Sequence, residues 1–489
     1  MSFPILSTII FAPAVGVLLI LLIPEKRATA IRVVAAASTF VSLALAVYLL
    51  FAYDKAKAGL QFVQQIPWID YFGISYHLGV DGMSIAMVLL TAFVIFAGVF
   101  ASWRQENRQK EFFIFLLTLV TGVFGVFMSF DLFLFFMFYE LAVIPMYLLI
   151  GVWGSTRKEY AAMKLTLYLL MGSAFLLVGM LILYFNSGLR TFDLVALQNI
   201  KYTPEFQKFV FPFLFFGFAF LVPMWPFHTW SPDGHVAAPT AVSMLHAGVL
   251  MKLGAYGIIR VALNLFPEGA HLWAPIIAGL CLVNVVYGAF VATAQKDFKY
   301  IIGYSSTSHM GYVLLGIASF NVIGLNGAVM QMFSHGIMTG LFFALVGLVY
   351  NKTHTRHIPD LGGLAHQMPI IAASFVIAGM TSLGLPGLSG FVAELLVFVG
   401  YFSINKLVAI IAISGIVITA IYVLRAVQNV FFGPRKAQYD GLTDAKTVDL
   451  VPLYLLVFVL LFFGFFPSML LNLINTSVTP LVAKIGGVL

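Results

Sequence analysis

The sequence predicts an all-α polytopic membrane protein, a single membrane domain of about fourteen transmembrane helices. Hydrophobic residues make up 61% of the 489 positions and charged residues only 9%, which no water-soluble surface tolerates. Apolar stretches of about 20 residues, the length that crosses a bilayer as a helix, recur along the whole chain. The polar stretches between them, even residues 54–81 and 433–449, are too short for a separate soluble domain.

The boundaries of the spans follow from hydropathy and helix length. The first stretch lacks the basic region and the cleavage site of a signal peptide, so we interpret it as a spanning helix. The predicted spans are 3–23, 31–53, 82–103, 112–129, 131–152, 163–186, 209–230, 240–264, 272–294, 299–319, 324–350, 369–400, 404–432 and 450–474.

The loop charges predict the orientation of the chain. Sixteen Lys and Arg residues, among them Lys299, fall on one side of the membrane, and eight, among them Arg260, fall on the other. Cytoplasmic loops are enriched in basic residues, so both termini are expected on the outer side, in a bacterial inner (plasma) membrane. Because the net charge of +7 lies largely in these loops, it indicates contact with anionic lipid and not with nucleic acid.

The chain has one cysteine, Cys281, inside an apolar stretch. One thiol cannot form an internal disulfide, hold an iron–sulfur cluster or attach a c-type haem. We therefore expect no cofactor in this chain and any electron transfer in partner chains. Motifs of hydrolytic enzymes, such as H-E-x-x-H, G-x-S-x-G or a phosphate loop, are not found in the sequence.

Two predicted spans contain helix breakers deep within apolar sequence. These are the segment from Pro223 to Pro226 in the seventh span and residues 384–390 in the twelfth. A proline frees backbone groups that lipid cannot satisfy, so such a break is tolerated where protein or a hydrated cavity encloses it. Paired breaks five spans apart predict two inverted five-helix repeats, at 112–264 and 272–432, after N-terminal helices in 1–111 and before a C-terminal helix at 450–474. The alternative is that Gly and Pro are simply common in membrane helices.

Three charged residues lie far from the ends of their predicted spans: Glu140, Lys252 and Glu394. Each costs about 2.5–3.5 kcal/mol at the centre of a membrane helix, so a protein keeps few without a reason. Burial disfavours the charged forms and brings both Glu and Lys closer to neutrality, which is what a proton relay needs. The structural alternative is that they form fixed ion pairs between helices.

Histidines supply further candidates. His309 and His335 fall on consecutive spans between Lys252 and Glu394, where they can serve as relay groups, and His246 is an accessory candidate. A lone membrane histidine is more often a hydrogen-bonded packing residue. A second group is assigned to loops or a water entry: His228, Asp233 and His235 after the first break, and His354 and His357, whose spacing alone does not support a metal site.

These segments resemble the antiporter-like subunits of respiratory complex I (NADH:quinone oxidoreductase), most closely its M-type, or chain 4, group. The specific segments are FFMFYELAVIPMYLLIGVWG, PMWPFHTWSPDGHVAAPT, LMKLGAYGIIR, YSSTSHMGY, HTRHIPDLGGL and LGLPGLSGFVAE. The resemblance implies two inverted repeats with discontinuous seventh and twelfth helices. It also implies a lateral proton path through Glu140, Lys252, His309, His335 and Glu394, and other membrane subunits as partners, including L-type and N-type neighbours.

The sequence departs from the family pattern two residues before the first break. The family carries a lysine there, paired with the glutamate of the fifth helix, whereas this chain carries Leu221. Without that cation Glu140 should favour its neutral form, unless Lys164 or another partner replaces it. Smaller departures are Ser231, where Leu is usual, and His246, where an apolar residue is usual.

Four functions compete on the sequence. The favoured one is a proton-translocating subunit of NADH:quinone oxidoreductase without a redox centre of its own. Mrp-type cation/proton antiporters and membrane-bound hydrogenase-type complexes share the fold, although the short C-terminus argues against an L-type subunit. An independent solute transporter would need a polar pocket between the broken helices, and a scaffold with unused charges is favoured only by Leu221.

Overall fold

The computed structural model describes residues 4–57 and 59–487, and most of them are helical. The helices are α1 Ile5–Leu22, α2 Ala28–Ala52, α3 Gly82–Ala101, α4 Gln109–Met128, α5 Leu132–Trp153, α6 Lys158–Asn186, α7 Leu194–Leu197, α8 Pro204–Leu221, α9 Trp230–Ala237, α10 Thr240–Leu263, α11 Pro267–Ala294, α12 Phe298–Ile317, α13 Val322–Thr353, α14 Pro369–Ser382, α15 Ser389–Phe402, α16 Lys406–Phe431, α17 Leu450–Phe465 and α18 Pro467–Lys484. Two antiparallel strands, β1 Gln61–Ile69 and β2 Ile74–Val80, form a hairpin.

The predicted fold class is confirmed. Among residues 4–57 and 59–487, eleven helical segments are long and apolar enough to cross a membrane. Two of them, α10 and α13, are buried at the centre of the bundle, whereas α1, α6 and α16 expose apolar side chains at its periphery. Capping residues start several helices: Asp131 accepts backbone hydrogen bonds at the first turn of α5, and Asn321 does so at α13. The count of fourteen spans and the inverted repeat remain predictions.

Both predicted breaks are present. The seventh predicted span is divided between α8 and α9, and the twelfth between α14 and α15. At the first break the buried side chain of Asn284, on α11, supplies the missing partners. Its Oδ1 accepts from the Trp225 backbone N–H at 2.6 Å, and its Nδ2 donates to the Pro223 carbonyl at 3.3 Å. Two freed backbone groups of the break thus find their hydrogen-bond partner within the protein.

The prediction of one helix over 450–474 is wrong. The helix that begins at Leu450 ends at Phe465, and Pro467 starts a new helix, because proline cannot continue a backbone hydrogen-bond ladder but suits a first turn. The new helix, α18, continues to Lys484 and packs across the ends of other helices. Its Thr476 lies at 3.3 Å from the Tyr53 hydroxyl.

Residues 54–81 also hold more structure than the loop that their length indicated. The hairpin β1–β2 lies over the ends of the helices on the same side as α18. It is fastened to α5, because the Ser75 backbone N–H donates to Asp131 at 2.9 Å, and to the 187–203 connection, because His77 Nδ1 lies 2.8 Å from Asp193. We call this end of the bundle the hairpin face.

Candidate functional site

Lys252 lies fully buried at the middle of α10. The helix widens into a π-helical turn at His246–Leu250, directly before the lysine. Such turns loosen the regular hydrogen-bond ladder and are frequent at functional sites. The Ala247 carbonyl in this turn accepts a hydrogen bond from Lys252 Nζ, and the same ammonium group lies 2.7 Å from His335 Nδ1 on α13.

The approach of α10 to α13 depends on two glycines. A methyl group added to Gly336 would lie 2.5 Å from the Gly248 carbonyl oxygen, and one added to Gly248 would lie 3.1 Å from the Gly336 carbonyl oxygen. The two backbones are therefore in direct contact beside Lys252 and His335. This backbone contact sets the distance between the two side chains.

The predicted relay continues from His335 to Glu394. The rings of His335 and His309 have centroids 5.3 Å apart, and His309 Nδ1 lies 3.2 Å from Glu394 Oε1. Gln331 Nε2 lies within 3.4 Å of both His309 Nδ1 and Glu394 Oε1. Ser382, at the end of α14, contacts His309 Nε2 at 3.0 Å. All of these side chains are buried, so the groups form one polar row inside the bundle.

Glu394 is held at the second break. It lies on α15, and its Oε2 is so close to Gly384 that a methyl group there would be 2.8 Å away. The φ of +62° at Gly384 also favours glycine. The break thus leaves room for the carboxylate, and within the described chain Oε2 has no hydrogen-bond partner.

Glu140 is the one predicted relay residue that lies apart from this row. Its carboxylate accepts a hydrogen bond from the Ser173 hydroxyl on α6. It is only partly buried, and one turn further along α5 the side chain of Ile144 is 62% exposed. Glu140 therefore lies on a face of the chain that lipid or another chain must cover.

The expectation that Lys164 replaces the missing lysine partner of Glu140 is not met by the geometry. Lys164 Nζ forms an ion pair with Asp233 at 2.8 Å, and Tyr300 also donates to this aspartate. Lys164 is nine residues from Ser173 on the same helix, about 13 Å along its axis. Leu221 is buried at the end of α8.

The accessory histidines His246 and His228 are both buried. The ring of His246 stacks on Trp230 with centroids 5.2 Å apart and lies 4.0 Å from the ring of His235. Neither ring nitrogen of His246 has a hydrogen-bond partner among the described residues. His228 is buried at the first break, against the ring of Tyr287 at 5.1 Å.

Sequence reasoning missed three buried groups. His235 was assigned to a loop but lies fully buried in α9, a short helix whose polar sequence gives no hydropathy signal. Arg260 and Lys299 were counted as loop cations but lie buried within α10 and α12. Their positions near the ends of apolar stretches concealed this. His354 and His357 do lie in a connection, where His357 pairs with Asp360 at 3.1 Å.

Comparison with known proteins decides the family. The model of the family "NADH:quinone oxidoreductase/Mrp antiporter, TM" matches residues 129–419. The chain is 39% identical to NADH-quinone oxidoreductase subunit M of Rickettsia prowazekii, over 99% of this chain and 100% of that protein. The chain belongs to the NADH:quinone oxidoreductase/Mrp antiporter family. The predicted resemblance is thereby confirmed.

Solved structures agree with this membership. A chain of respiratory complex I from Thermus thermophilus superposes with a TM-score of 0.90 and 30% identity, over 98% of this chain and 100% of that one. A chain of the Mrp complex from Dietzia matches with a TM-score of 0.87 over the full length of both, and its 21% identity supports the shared fold alone. The roles of individual residues within the family fold remain predictions.

Proposed function

We propose that the chain is a proton-carrying membrane subunit of a respiratory NADH:quinone oxidoreductase, a translocase whose redox chemistry takes place in other subunits. Its similarity to subunit M of Rickettsia and to a chain of complex I supports the proposal that it is part of such a complex. The observation that supports proton transfer is the row Lys252, His335, His309 and Glu394, in which buried titratable groups follow one another across four helices.

In this proposal a proton moves along the row through the contacts between its members. Lys252 gives a proton to His335 Nδ1 across 2.7 Å, and His335 Nε2, which lacks a partner in the described residues, releases its own proton toward His309. Turning of a ring or one intervening water bridges the 5.3 Å between the rings. Glu394 then accepts from His309, and Gln331 keeps the two aligned. Each transfer changes the charge beside the next group and so shifts its proton affinity, which sets the order of the transfers.

Glu140 is assigned the end of the path that meets a neighbouring subunit. Because its carboxylate lies on a partly exposed face, a chain packed there can supply the cation that Leu221 does not. The partners proposed are the other membrane subunits of the complex, including L-type and N-type neighbours, with lipid around them in a bacterial inner membrane.

We expect Lys252→Ala to reduce proton pumping in the assembled complex. Removing a positioned acid–base group slows proton transfer by about 10²–10⁴-fold, so fewer protons cross per electron pair. The measurement is the proton-to-electron ratio of the purified complex in sealed vesicles. Glu140→Gln should act in the same direction. Lys55→Ala, which removes an exposed loop cation, is the matched control and should leave the ratio unchanged. A fully assembled Lys252→Ala complex with the parental ratio contradicts the relay.

An Mrp-type cation/proton antiporter is the second candidate, favoured by the fold shared with the Dietzia complex. The two assemblies differ in their partners. Isolation of the chain with its native membrane partners separates them: nucleotide-binding and iron–sulfur subunits support the oxidoreductase. Small membrane subunits alone, with cation-dependent proton exchange, support the antiporter.

A further inference from the structure

A cavity of about 520 Å³ opens at the hairpin face, outside the row described above. The hairpin, the end of α10 and the helix α18 surround it. Its polar lining includes His77, Asp81, Gln198, Arg260, Asn264 and Lys484. The volume holds several waters, and the lining supplies both donors and acceptors for them.

A buried hydrogen-bonded cluster leads from this cavity into the bundle. The Tyr256 hydroxyl lies 2.9 Å from Ser84 Oγ, and the Ser84 backbone N–H donates to Asp81 Oδ1 at 3.0 Å. Arg260 joins the cluster: its Nη2 lies 2.7 Å from Asp81 Oδ1 and 3.4 Å from Ser84 Oγ, and its Nε donates to the Tyr256 oxygen at 3.2 Å. Tyr256 and Ser84 have no solvent exposure, so the cluster is a chain of polar groups buried among apolar side chains.

The inner end of the cluster adjoins Lys252. Lys252, Tyr256 and Arg260 follow one another at intervals of four residues on α10, which places them on the same side of the helix. Residues four apart have Cβ atoms about 5–6 Å from each other, and the lysine stem spans that distance. The ammonium group now points the other way, to Ala247 and His335. To reach the cluster, the ammonium group must adopt a different side-chain rotamer.

We propose that Tyr256, Ser84 and Asp81 form an outlet through which a proton on Lys252 leaves to the cavity at the hairpin face. The outlet rests on the proposed function, since it needs a proton on Lys252. It makes Lys252 a branch point between lateral transfer to His335 and release from the bundle.

The transfer is a chain of O–H exchanges. The Lys252 ammonium group gives a proton to the Tyr256 oxygen as that hydroxyl passes its own proton to Ser84, and Ser84 passes its proton to the Asp81 carboxylate. Lys252 ends neutral and Asp81 ends protonated, so charge and protons balance. The Tyr256 hydroxyl, which lies 3.0 Å from the Phe127 carbonyl, must first turn to Ser84.

Arg260 is a positioning residue in this scheme. Burial by itself raises the pKa of Asp81, but the Arg260 guanidinium and the Ser84 N–H hold that pKa below its ordinary value. Asp81 is therefore ionised at neutral pH and ready to accept. For the same reason it holds an arriving proton weakly and releases it to water in the cavity. His77 and Lys484 are the other titratable groups that face this water.

The test compares hydroxyl deletions in the complete complex. Tyr256→Phe and Ser84→Ala each remove one hydroxyl and leave the surrounding shape. The proton-to-electron ratio should fall by as much as it does in Lys252→Ala. The double variant should lose no more than either single one, because groups in series fail together. Tyr184→Phe, a buried tyrosine stacked on Phe192 at 4.7 Å, is the control.

The outcomes separate the outlet from the proposed function. A normal ratio in Tyr256→Phe and Ser84→Ala together with a lowered ratio in Lys252→Ala refutes the outlet and leaves the function standing. A normal ratio in all three refutes both. If Tyr256→Phe does not assemble, Ser84→Ala carries the same comparison.

The opening of the cavity can be tested separately. The native Cys281 is buried, so a Gln198→Cys variant adds one accessible thiol to this chain. The outlet predicts that a membrane-impermeant maleimide modifies it from the side that receives pumped protons, as read by mass spectrometry of this chain. Modification from the opposite side alone overturns the proposal.

Discussion

The amide of Asn284 offers the sharpest test of how the first break is stabilised. This side chain is fully buried on α11 and substitutes for the helical partners that the break removes. It accepts from the Trp225 N–H at 2.6 Å and donates to the Pro223 carbonyl at 3.3 Å and the Thr307 carbonyl at 3.0 Å. The perturbation is Asn284→Ala, which deletes all three bonds and alters no charge.

The expected loss follows from the groups left behind. Thr307 lies within α12, where its carbonyl oxygen keeps the helical ladder, so two backbone groups lose their partner: the Trp225 N–H and the Pro223 carbonyl. A buried polar group without a hydrogen bond costs about 1–3 kcal/mol. Asn284→Ala should therefore destabilise the chain by about 2–6 kcal/mol, well beyond the ~0.5 kcal/mol of an ordinary surface substitution.

The assay is the denaturant midpoint and apparent melting temperature of the purified complex, with this chain followed separately. Asn186→Ala is the matched control, because it deletes an exposed amide whose Nδ2 donates to the Ile182 carbonyl at 2.9 Å. Asn284→Ala should melt at a lower temperature than the parent, whereas Asn186→Ala should melt at the same temperature as the parent. Equal melting of the two variants would refute the assignment of Asn284 as the partner of the break.

Two further predictions concern Glu140 and the hairpin. Leu221→Lys should assemble as well as the parent. Leu221→Lys combined with Glu140→Gln should give less assembled complex, because a buried cation without its carboxylate costs several kcal/mol. Equal yields of the single and the double variant would show that the two positions do not interact. Burial raises the pKa of Asp193, but the His77 ring and a backbone N–H lower it by more, so the pKa lies below its usual value. The stabilisation is therefore present above the unfolded pKa of about 3.9 and is lost as the pH falls through the folded value. Asp193→Asn should speed hydrogen exchange in the hairpin at neutral pH, and unchanged exchange would argue against this tether.

The sequence predicted the parts of the fold that depend on hydropathy alone. Long apolar helices and breaks such as the one after Leu221 can be recognised because lipid permits few alternatives. The row from Lys252 to Glu394 could be proposed because each member is a rare residue type in apolar sequence. Their contacts could not, since the distance between α10 and α13 depends on two glycines far apart in the chain.

The errors have physical causes too. The hairpin and α18 lie at the end of the bundle, where residues are of mixed polarity and hydropathy no longer indicates the backbone path. Arg260 was counted with the loop charges, although the predicted span 240–264 includes it, because it lies within one turn of the end of that span. In the structure it is buried and paired with Asp81. Lys164 was considered a partner of Glu140 on chemistry alone, whereas the fold turns it to Asp233.

The backbone contact of Gly248 with Gly336 makes the Lys252–His335 distance depend directly on the separation of α10 from α13. A hydrogen bond of 2.7 Å is lost once its atoms separate by about another ångström. With no side chains between the two backbones to yield, nearly all of any separation of α10 from α13 passes to the polar pair. A helix displacement smaller than a methyl group can therefore break the Lys252–His335 contact, on which the proposed proton path depends.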